Sequence, residues 1–258
     1  MSFREKISKI VDSIFAENFT CNFCNCELPK DDKYNLCDDC KAKIVFIGSH
    51  ACEVCGGYVL ADSTVCSQCK NTKRMVGRNY SVIMFSGESR MHIHNFKYKH
   101  KAYLKTTFGN LLLDKYREIK KEYDPDIIIP VPLHKNRENE RGYNQVDILL
   151  KVFDIDRDRI NTNCLERIAD TPQQANMNKY ERMENVAGAF QVVDKDVVKG
   201  KSILIVDDIY TTGATIDECA KVLTKAGAKE VRSMTLAHAH RDYPLGYEEN
   251  DKFEEYRG

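Results

Sequence analysis

The chain has 258 residues, and its 39 lysines and arginines balance its 39 aspartates and glutamates, so the formal net charge is zero. This length allows one large domain or two smaller ones, and the charge balance argues against a wholly basic nucleic-acid binder. The longest apolar run, near Ile127–Leu133, contains two prolines, so we expect no membrane span. Charged residues replace the apolar stretch of a signal peptide at the N-terminus, and we expect a cytoplasmic protein.

Cysteines are concentrated near the N-terminus, where nine of the eleven lie between Cys21 and Cys69. Four pairs share the spacing C-x-x-C, which holds two thiolates on one side of a tight turn, and two such turns complete a tetrahedral Zn²⁺ shell. The predicted ligands are Cys21, Cys24, Cys37, Cys40, Cys52, Cys55, Cys66 and Cys69. They suit two structural zinc ions. Consecutive pairing is the simplest arrangement and an interleaved one stays open, while redox or disulfide chemistry is the alternative to metal.

The rest of the chain predicts an α/β protein. An amphipathic helix at Phe3–Phe15 comes first, and we expect it to pack on its own protein, with contact to a membrane or a partner as the alternative. From about Tyr80, strands and helices alternate, which predicts a mostly parallel sheet covered by helices. The predicted strands are Asp126–Leu133, Ser202–Asp208 and Glu230–Ala239, and the predicted helices are Gln145–Val152 and Thr215–Lys225, the latter ended by Gly227.

The segment ILIVDDIYTTGAT predicts an anion site beside two carboxylates. A short loop, Ile209–Gly213, separates the predicted strand from a helix whose first turn offers free N–H groups and a positive dipole end. The carboxylates would repel phosphate but suit the 2′- and 3′-hydroxyls of a ribose, directly or through Mg²⁺. We therefore predict a sugar-phosphate site, with an ordinary strand-turn-helix as the alternative. The candidate ligands are Asp207, Asp208, Thr211, Thr212, Gly213, Ala214 and Thr215.

A second charged segment, PVPLHKNRENERGYNQ, follows the strand that begins at Asp126. Loops at the carboxyl ends of parallel strands converge on one crevice, so we expect this loop to face the acid pair. Arg137 and Arg141 would neutralise a pyrophosphate group there, and Val131 and Pro132 would complete that side of the site. A solvated charged turn is the alternative.

VDDIYTTGAT resembles the motif by which type I phosphoribosyltransferases bind phosphoribosyl pyrophosphate (PRPP). By that resemblance, Asp207 and Asp208 hold the ribose hydroxyls and Thr211–Thr215 wrap the 5′-phosphate. PVPLHKNRENERGYNQ resembles a segment of the ComF family of competence proteins, as do R-x-x-x-T-P-Q-Q and E-R-x-x-N-V-x-G-A-F within Arg167–Phe190 and the double zinc ribbon. One departure is Phe15-Ala16, where the family has an aromatic-proline pair.

The ComF resemblance covers nearly the whole chain. It implies an N-terminal helix and double zinc ribbon over residues 1–76, and a type I phosphoribosyltransferase domain over residues 77–258. It also implies a role in DNA uptake during natural transformation, with single-stranded DNA and the competence machinery as partners. Independently, HIHNFKYKHKAYLK interleaves lysines that could contact phosphates with aromatics that could stack bases, although a solvated amphipathic element is the alternative. These residues are Phe96, Lys97, Tyr98, Lys99, Lys101, Tyr103 and Lys105.

Two classes of function fit these predictions. An enzyme would transfer the phosphoribosyl group of Mg²⁺-bound PRPP to an unidentified nitrogen nucleophile, with Asp207, Asp208, Arg137 and Arg141 as its catalytic residues. A binding module would sense PRPP or a nucleotide, or hold single-stranded DNA, without turnover. An amidophosphoribosyltransferase is disfavoured, because residue 2 is Ser2 rather than a cysteine and zinc-binding turns occupy the place of its glutaminase domain.

Overall fold

The computed structural model describes residues 19–29, 32–60, 63–99, 101–171 and 179–239. The helix predicted at Phe3–Phe15 lies outside these residues, as do residues 172–178 of the Arg167–Phe190 segment and residues 240–258. The domain boundary at residue 76 stays a prediction. Among the helices in the described ranges, none combines the length and the apolar character needed to cross a membrane.

A four-stranded parallel sheet with the strand order β1-β6-β5-β2 forms the centre of the α/β region. A separate antiparallel pair joins β3 to β4. The strands are β1 (Asn79–Met84), β2 (Ile127–Pro130), β3 (Leu165–Arg167), β4 (Phe190–Val192), β5 (Ser202–Tyr210) and β6 (Glu230–His238). The central strands β5 and β6 are buried along nearly their whole length because helices cover both faces of the sheet. The predicted mostly parallel sheet is confirmed.

Strand β5 is longer than the sequence predicts. It continues through Tyr210 because Ile209 pairs with Ala237 and Tyr210 pairs with His238 in the neighbouring strand β6. The acid pair therefore lies within the ladder of β5, and the loop after it begins at Thr211 rather than at Ile209.

Helices alternate with the strands along the chain and also lie in the cysteine-rich N-terminal region. They are α1 (Asp38–Ala42), α2 (Ser67–Lys70), α3 (Gly87–Tyr98), α4 (Lys105–Ile119), α5 (Lys135–Arg141), α6 (Gln145–Leu150), α7 (Lys179–Val186), α8 (Lys195–Val198) and α9 (Ala214–Lys225), with 3-10 turns at Ala102–Leu104 and Arg157–Arg159. The predicted helices at Gln145 and Thr215 are confirmed within two residues at each end. Gly227 follows α9 with a φ of 97°, so the predicted stop is also confirmed.

The loop predicted over Lys135–Arg141 is wrong, because these residues form helix α5. The His134 side chain accepts a hydrogen bond from the backbone N–H of Asn136 and caps the start of the helix. Gly142 ends it with a φ of 82°, a left-handed conformation that glycine adopts at little cost. Local capping at both ends therefore makes a helix out of a segment whose charges suggest a solvated turn.

Successive residues of β5 pack into two different cores, as the alternation of side chains along a strand requires. Leu204 and Val206 belong to a cluster with α4 and α6, whereas Ile203 and Ile205 belong to a cluster with α9 and the β3-β4 pair. The sheet thus separates two hydrophobic layers.

The two cysteine modules also divide between these layers. Cys21 and Cys40 pack in the core that contains α4, whereas Cys52 and Cys69 pack in the core that contains α9. We name residues 19–44 the first ribbon and residues 51–70 the second ribbon. Each ribbon therefore reaches a different face of the sheet, and only the second shares a core with the helix that follows the acid pair.

The two ribbons repeat one local structure. A backbone N–H in each donates to the first cysteine sulfur over 3.4 Å, from Cys37 to Cys21 and from Cys66 to Cys52. In each ribbon, the residue directly after the second cysteine has a left-handed conformation. In the second ribbon this residue is Gly56, with a φ of 68°. Its missing side chain matters, because a Cβ would lie 2.5 Å from the carbonyl oxygen of Asn79. The second ribbon is therefore pressed against the start of β1.

Candidate phosphoribosyl site and zinc centres

The acid pair predicted from the sequence lies at the carboxyl end of β5. Asp207 and Asp208 are both buried, and the backbone N–H of Asp208 donates to Oδ1 of Asp207 over 2.8 Å. Burial, together with the charge of Asp208, raises the pKa of Asp207 to about 7. Near neutral pH, Asp207 is therefore poised between an acid that donates a hydrogen bond and a carboxylate that binds a cation or accepts from a hydroxyl.

Two side chains from other elements contact the carboxylate of Asp208, one as an ion pair and one as a hydrogen-bond donor. Lys97, near the end of α3, places its Nζ 2.8 Å from Oδ2 of Asp208. Gln145, the first residue of α6, donates from Nε2 to the same oxygen over 2.7 Å. Sequence reasoning did not assign either residue to this site. The signal available was the position of Gln145 at the end of the GYNQ segment, whereas Lys97 was only part of a lysine-aromatic pattern.

The loop between β5 and α9 has the backbone of an anion site. Gly213 has a φ of 79° and precedes the first residue of α9, a 12-residue helix, where backbone N–H groups are free of helical partners. Ala214 is buried, and Thr211, Thr212 and Thr215 are half-buried. The predicted phosphate ligands are therefore brought together at one helix N-terminus, a few residues after the acid pair.

The segment predicted to complete the pyrophosphate side is only partly assembled around the acid pair. Val131 lies beside β5, where its N–H donates to the carbonyl of Val206 over 2.8 Å, and Pro132 follows it. Arg141 donates from Nη1 to Oε1 of Gln145, whose amide bonds Asp208. The Arg141 guanidinium also lies 5.2 Å from the centre of the Tyr98 ring. Arg141 is thus joined to the acid pair through one intervening side chain.

Arg137 is engaged with a different segment. Its Nη2 donates to the carbonyl of Thr171 over 2.9 Å. Nearby, Arg167 donates to the hydroxyl of Thr171, and burial lowers the pKa of Arg167. The charge of Arg137 also lowers this pKa, whereas the charge of Asp207 raises it. Arg167 is a half-buried cation that sequence reasoning left out of the site, although it opens the R-x-x-x-T-P-Q-Q motif.

Eight of the cysteines form two groups of four, and within each group the sulfur atoms lie within 4.8 Å of one another. The first group is Cys21, Cys24, Cys37 and Cys40, and the second is Cys52, Cys55, Cys66 and Cys69. The sulfurs of Cys24 and Cys37 are 3.7 Å apart, and those of Cys55 and Cys66 are 3.8 Å apart. These distances match the edge of a tetrahedron with Zn–S bonds of about 2.3 Å. Each group fits one structural zinc ion, and the simplest arrangement, two consecutive C-x-x-C pairs to each ion, is confirmed.

The lysine-aromatic pattern is not one continuous surface. Phe96 is buried in the core next to Phe108, and Lys97 turns to Asp208, so neither faces a strand of nucleic acid. Tyr98 and Tyr103 are exposed. Part of the pattern therefore packs in the core or pairs with the acid pair, which removes most of its support as a base-stacking face.

Comparison with known families agrees with this architecture. A model of the phosphoribosyl transferase domain matches residues 143–255, and a model of the double zinc ribbon domain matches residues 10–70. The protein is thus a double zinc ribbon joined to a type I phosphoribosyltransferase fold.

Several relatives match about four fifths of the chain. Competence protein ComFC of Streptococcus pneumoniae is 30% identical over 211 residues, which cover 81% of this chain and 90% of the relative. Competence protein F of Haemophilus influenzae is 29% identical over 228 residues, covering 86% and 98%. The DNA utilization protein YhgH of Salmonella typhimurium is 26% identical over 214 residues, covering 79% and 90%. The chain belongs to the ComF family of competence proteins.

Proposed function

We propose that the chain binds the ribose 5-phosphate part of PRPP between its acid pair and the start of α9, and that it serves DNA uptake. The observation that carries the proposal is the order along one short stretch of the buried Asp207 and Asp208, a left-handed Gly213 and a helix N-terminus. The acids match vicinal hydroxyls and the helix start matches a phosphate, so one ligand must carry both groups. A ribose phosphate does so.

The charges of the site favour a ligand with a metal ion or hydroxyls at the acids. Lys97 already offsets the charge of Asp208, and the pKa of Asp207 is raised to about 7. The acid pair therefore carries little net charge near neutral pH and repels a phosphate on the adjoining loop only weakly. The two carboxylates would supply oxygen ligands to Mg²⁺ bound with PRPP.

The pyrophosphate side is assigned to Arg141, Arg137 and the backbone of Val131 and Pro132. Arg141 is joined to the acid pair by Gln145, so it lies on the side of the site formed by α5 and α6. Bidentate guanidinium contacts would stabilise the charge that develops on a departing pyrophosphate. This arrangement favours an enzyme of phosphoribosyl transfer, with a non-catalytic PRPP sensor as the second candidate.

The role in DNA uptake is drawn from the names of the relatives, which are competence and DNA utilization proteins. Transformation of the native host with and without the gene tests it directly. Unchanged uptake of labelled DNA in the deletion strain would refute the role, whatever the chain binds.

Calorimetry with Mg-PRPP tests the ligand. Replacing Asp207 and Asp208 together by alanine should abolish binding while two zinc ions per chain remain. The matched control replaces Asp38 and Asp39, an exposed Asp-Asp pair in the first ribbon, and should bind as the wild type does. Equal affinity in all three proteins would refute the site.

Pyrophosphate release separates the enzyme from the sensor. Wild-type protein and PRPP are incubated with a panel of nucleobases and amines, and free pyrophosphate is measured. Release that depends on one acceptor supports phosphoribosyl transfer. Tight PRPP binding with no release across the panel supports the sensor, and binding of single-stranded oligonucleotides in place of PRPP would support a DNA module.

A further inference from the structure

Arg74 connects the second ribbon to the phosphate loop. It lies five positions after Cys69, the last cysteine of that ribbon. The intervening chain is held to α2, because Thr72 donates from its hydroxyl to the carbonyl of Gln68 over 2.6 Å and from its N–H to the carbonyl of Cys69 over 3.2 Å. The position of Arg74 is therefore tied to the helix that carries a zinc ligand.

One nitrogen of the Arg74 guanidinium contacts both the phosphate loop and helix α9, which follows it. Nη1 donates to the carbonyl oxygen of Thr212 over 2.7 Å and lies 2.9 Å from Oδ2 of Asp217. The Arg74 side chain is 8% exposed, so both contacts are shielded from water. A charge-assisted hydrogen bond in such surroundings holds its acceptor more firmly than one on the surface.

Asp217 receives further bonds from the same segment. The backbone N–H groups of Met75 and Val76 donate to its Oδ1 over 3.0 and 3.3 Å. Asp217 lies in the first turn of α9, where its negative charge opposes a phosphate at the helix start. By neutralising Asp217, the segment from Arg74 to Val76 lowers that repulsion.

Gly213 shows how closely the loop is packed against this support. A Cβ at residue 213 would lie 2.2 Å from Oη of Tyr210 and 2.8 Å from Nη1 of Arg74. Tyr210 in turn stacks on His238, with ring centres 5.0 Å apart, and a Cβ at Gly57 would lie 2.6 Å from Cε1 of His238. The second ribbon thus supports the loop at two places, through Arg74 and through His238 and Tyr210.

The first ribbon makes its contacts elsewhere. Asn22 donates to the hydroxyl of Thr107 over 2.9 Å, and Tyr34 donates to Asp114 over 2.6 Å, both on α4 at the other face of the sheet. The two zinc sites therefore have different structural relations to the phosphate loop.

We propose that Arg74 is a positioning residue through which the second ribbon fixes the phosphate loop for anion binding, so that the zinc ion of that ribbon and the bound phosphate stabilise each other. The inference rests on the proposed function, because it takes the loop of α9 as the phosphate site. Arg74 acts through the Thr212 carbonyl and Asp217, and it aims the free N–H groups of the loop without contacting the ligand. Coupling of this kind is reciprocal between the two sites.

The affinity test compares Arg74→Ala, Arg74→Lys and a control, Arg78→Ala, in the full chain. Arg78 lies four residues on, where it stacks over Tyr80. With two zinc ions retained, Arg74→Ala should weaken Mg-PRPP binding by about tenfold or more, since it removes charge-assisted bonds that are shielded from water. Lysine can replace part of the contact and should restore part of the affinity, whereas Arg78→Ala should not change it. Wild-type affinity in Arg74→Ala would overturn the inference.

Zinc release gives a readout that a general loss of stability would not reproduce. Zinc transfer to a chromogenic chelator is followed with and without Mg-PRPP. In the wild type, the ligand should slow the release of one of the two ions, and in Arg74→Ala it should slow neither. Equal protection in the two proteins, or equal protection of both ions in the wild type, would overturn the inference.

The same variants separate this inference from the proposed function. If wild-type protein does not bind PRPP, the proposed function fails, and inorganic phosphate serves as the probe of the loop instead. Weaker phosphate binding in Arg74→Ala than in Arg78→Ala would then sustain the role of Arg74. Equal phosphate affinity in the two variants, or no phosphate binding by the wild type, would overturn the role of Arg74.

Discussion

Lys97 and Asp208 form an ion pair of 2.8 Å at the centre of the candidate site, between the end of α3 and the end of β5. Their side chains are 16% and 6% exposed, so the pair is largely shielded from water. The chain thus supplies its own cation to the carboxylate that we assign to the ribose hydroxyls. A Mg²⁺ ion at the acid pair would have to share Asp208 with this lysine or displace it.

Replacing Lys97 by methionine should make the ligand-free protein less stable and more responsive to magnesium. The loss leaves a buried carboxylate without its charge partner, which costs roughly 3 kcal/mol of unfolding free energy. Thermal melts with and without MgCl₂ measure both effects. Lys99→Met, at an exposed position two residues on, is the control. Equal magnesium-induced shifts in Lys97→Met and the wild type would contradict the prediction.

Stability should depend on pH through Asp207. Its pKa in the folded protein is raised to about 7 by burial and by the charge of Asp208, whereas in the unfolded chain it lies near 4. The protonated form therefore contributes stability that is complete below about pH 4 and is lost as the pH rises through about 7. Asp207→Asn cannot titrate, so its unfolding free energy relative to the wild type should rise over this interval. Urea denaturation at several pH values measures the difference, and a constant difference would contradict it.

Affinity for Mg-PRPP should change with pH in the opposite direction. Mg²⁺ and ribose hydroxyls bind the carboxylate form of Asp207, so binding displaces its proton and tightens as the pH rises from about 6 to about 8. Calorimetry in two buffers of different ionisation enthalpy reports the proton released. Binding without proton release near pH 6.5 would show that the ligand does not bind the carboxylate form of Asp207.

Gly213→Ala should abolish PRPP binding. An added Cβ would meet Tyr210 and Arg74, so the loop must move away from its support. Gly142→Ala is a matched control, because Gly142 also has a left-handed φ, 82°, but has no atom within 4 Å of an added Cβ. The control should cost about 1 kcal/mol of stability from backbone strain and retain PRPP binding. Similar affinities in the two variants would show that the contact at Gly213 is unimportant.

Cys24→Ser should reduce the zinc content from two ions to one, because Cys24 completes one four-sulfur group. Cys26→Ser is the control: Cys26 lies two residues away, is also exposed and lies outside the group. Metal analysis of the purified proteins should find one zinc ion in the first and two in the second. Two ions in both would mean that Cys26 or another ligand can replace Cys24.

Local sequence patterns predicted most of the fold. The C-x-x-C spacing predicted the zinc ligands because both members of a pair lie in one short turn, and the alternation of apolar runs predicted the sheet. Helix α5 was missed because its charged residues give no apolar periodicity, and its caps at His134 and Gly142 decide its limits. The extra length of β5 was missed because pairing with Ala237 and His238 is a contact between distant segments.

By itself, the sequence determined the chemistry of the candidate site: two acids, a threonine-rich loop, a glycine at the helix start and eight zinc ligands, all encoded within short stretches. Only the tertiary structure decided which distant side chains meet them. Lys97 reaches Asp208 from 111 positions earlier in the chain, and Arg74 reaches Thr212 over a separation of 138. Such contacts depend on how the sheet and helices pack, and no local spacing encodes them.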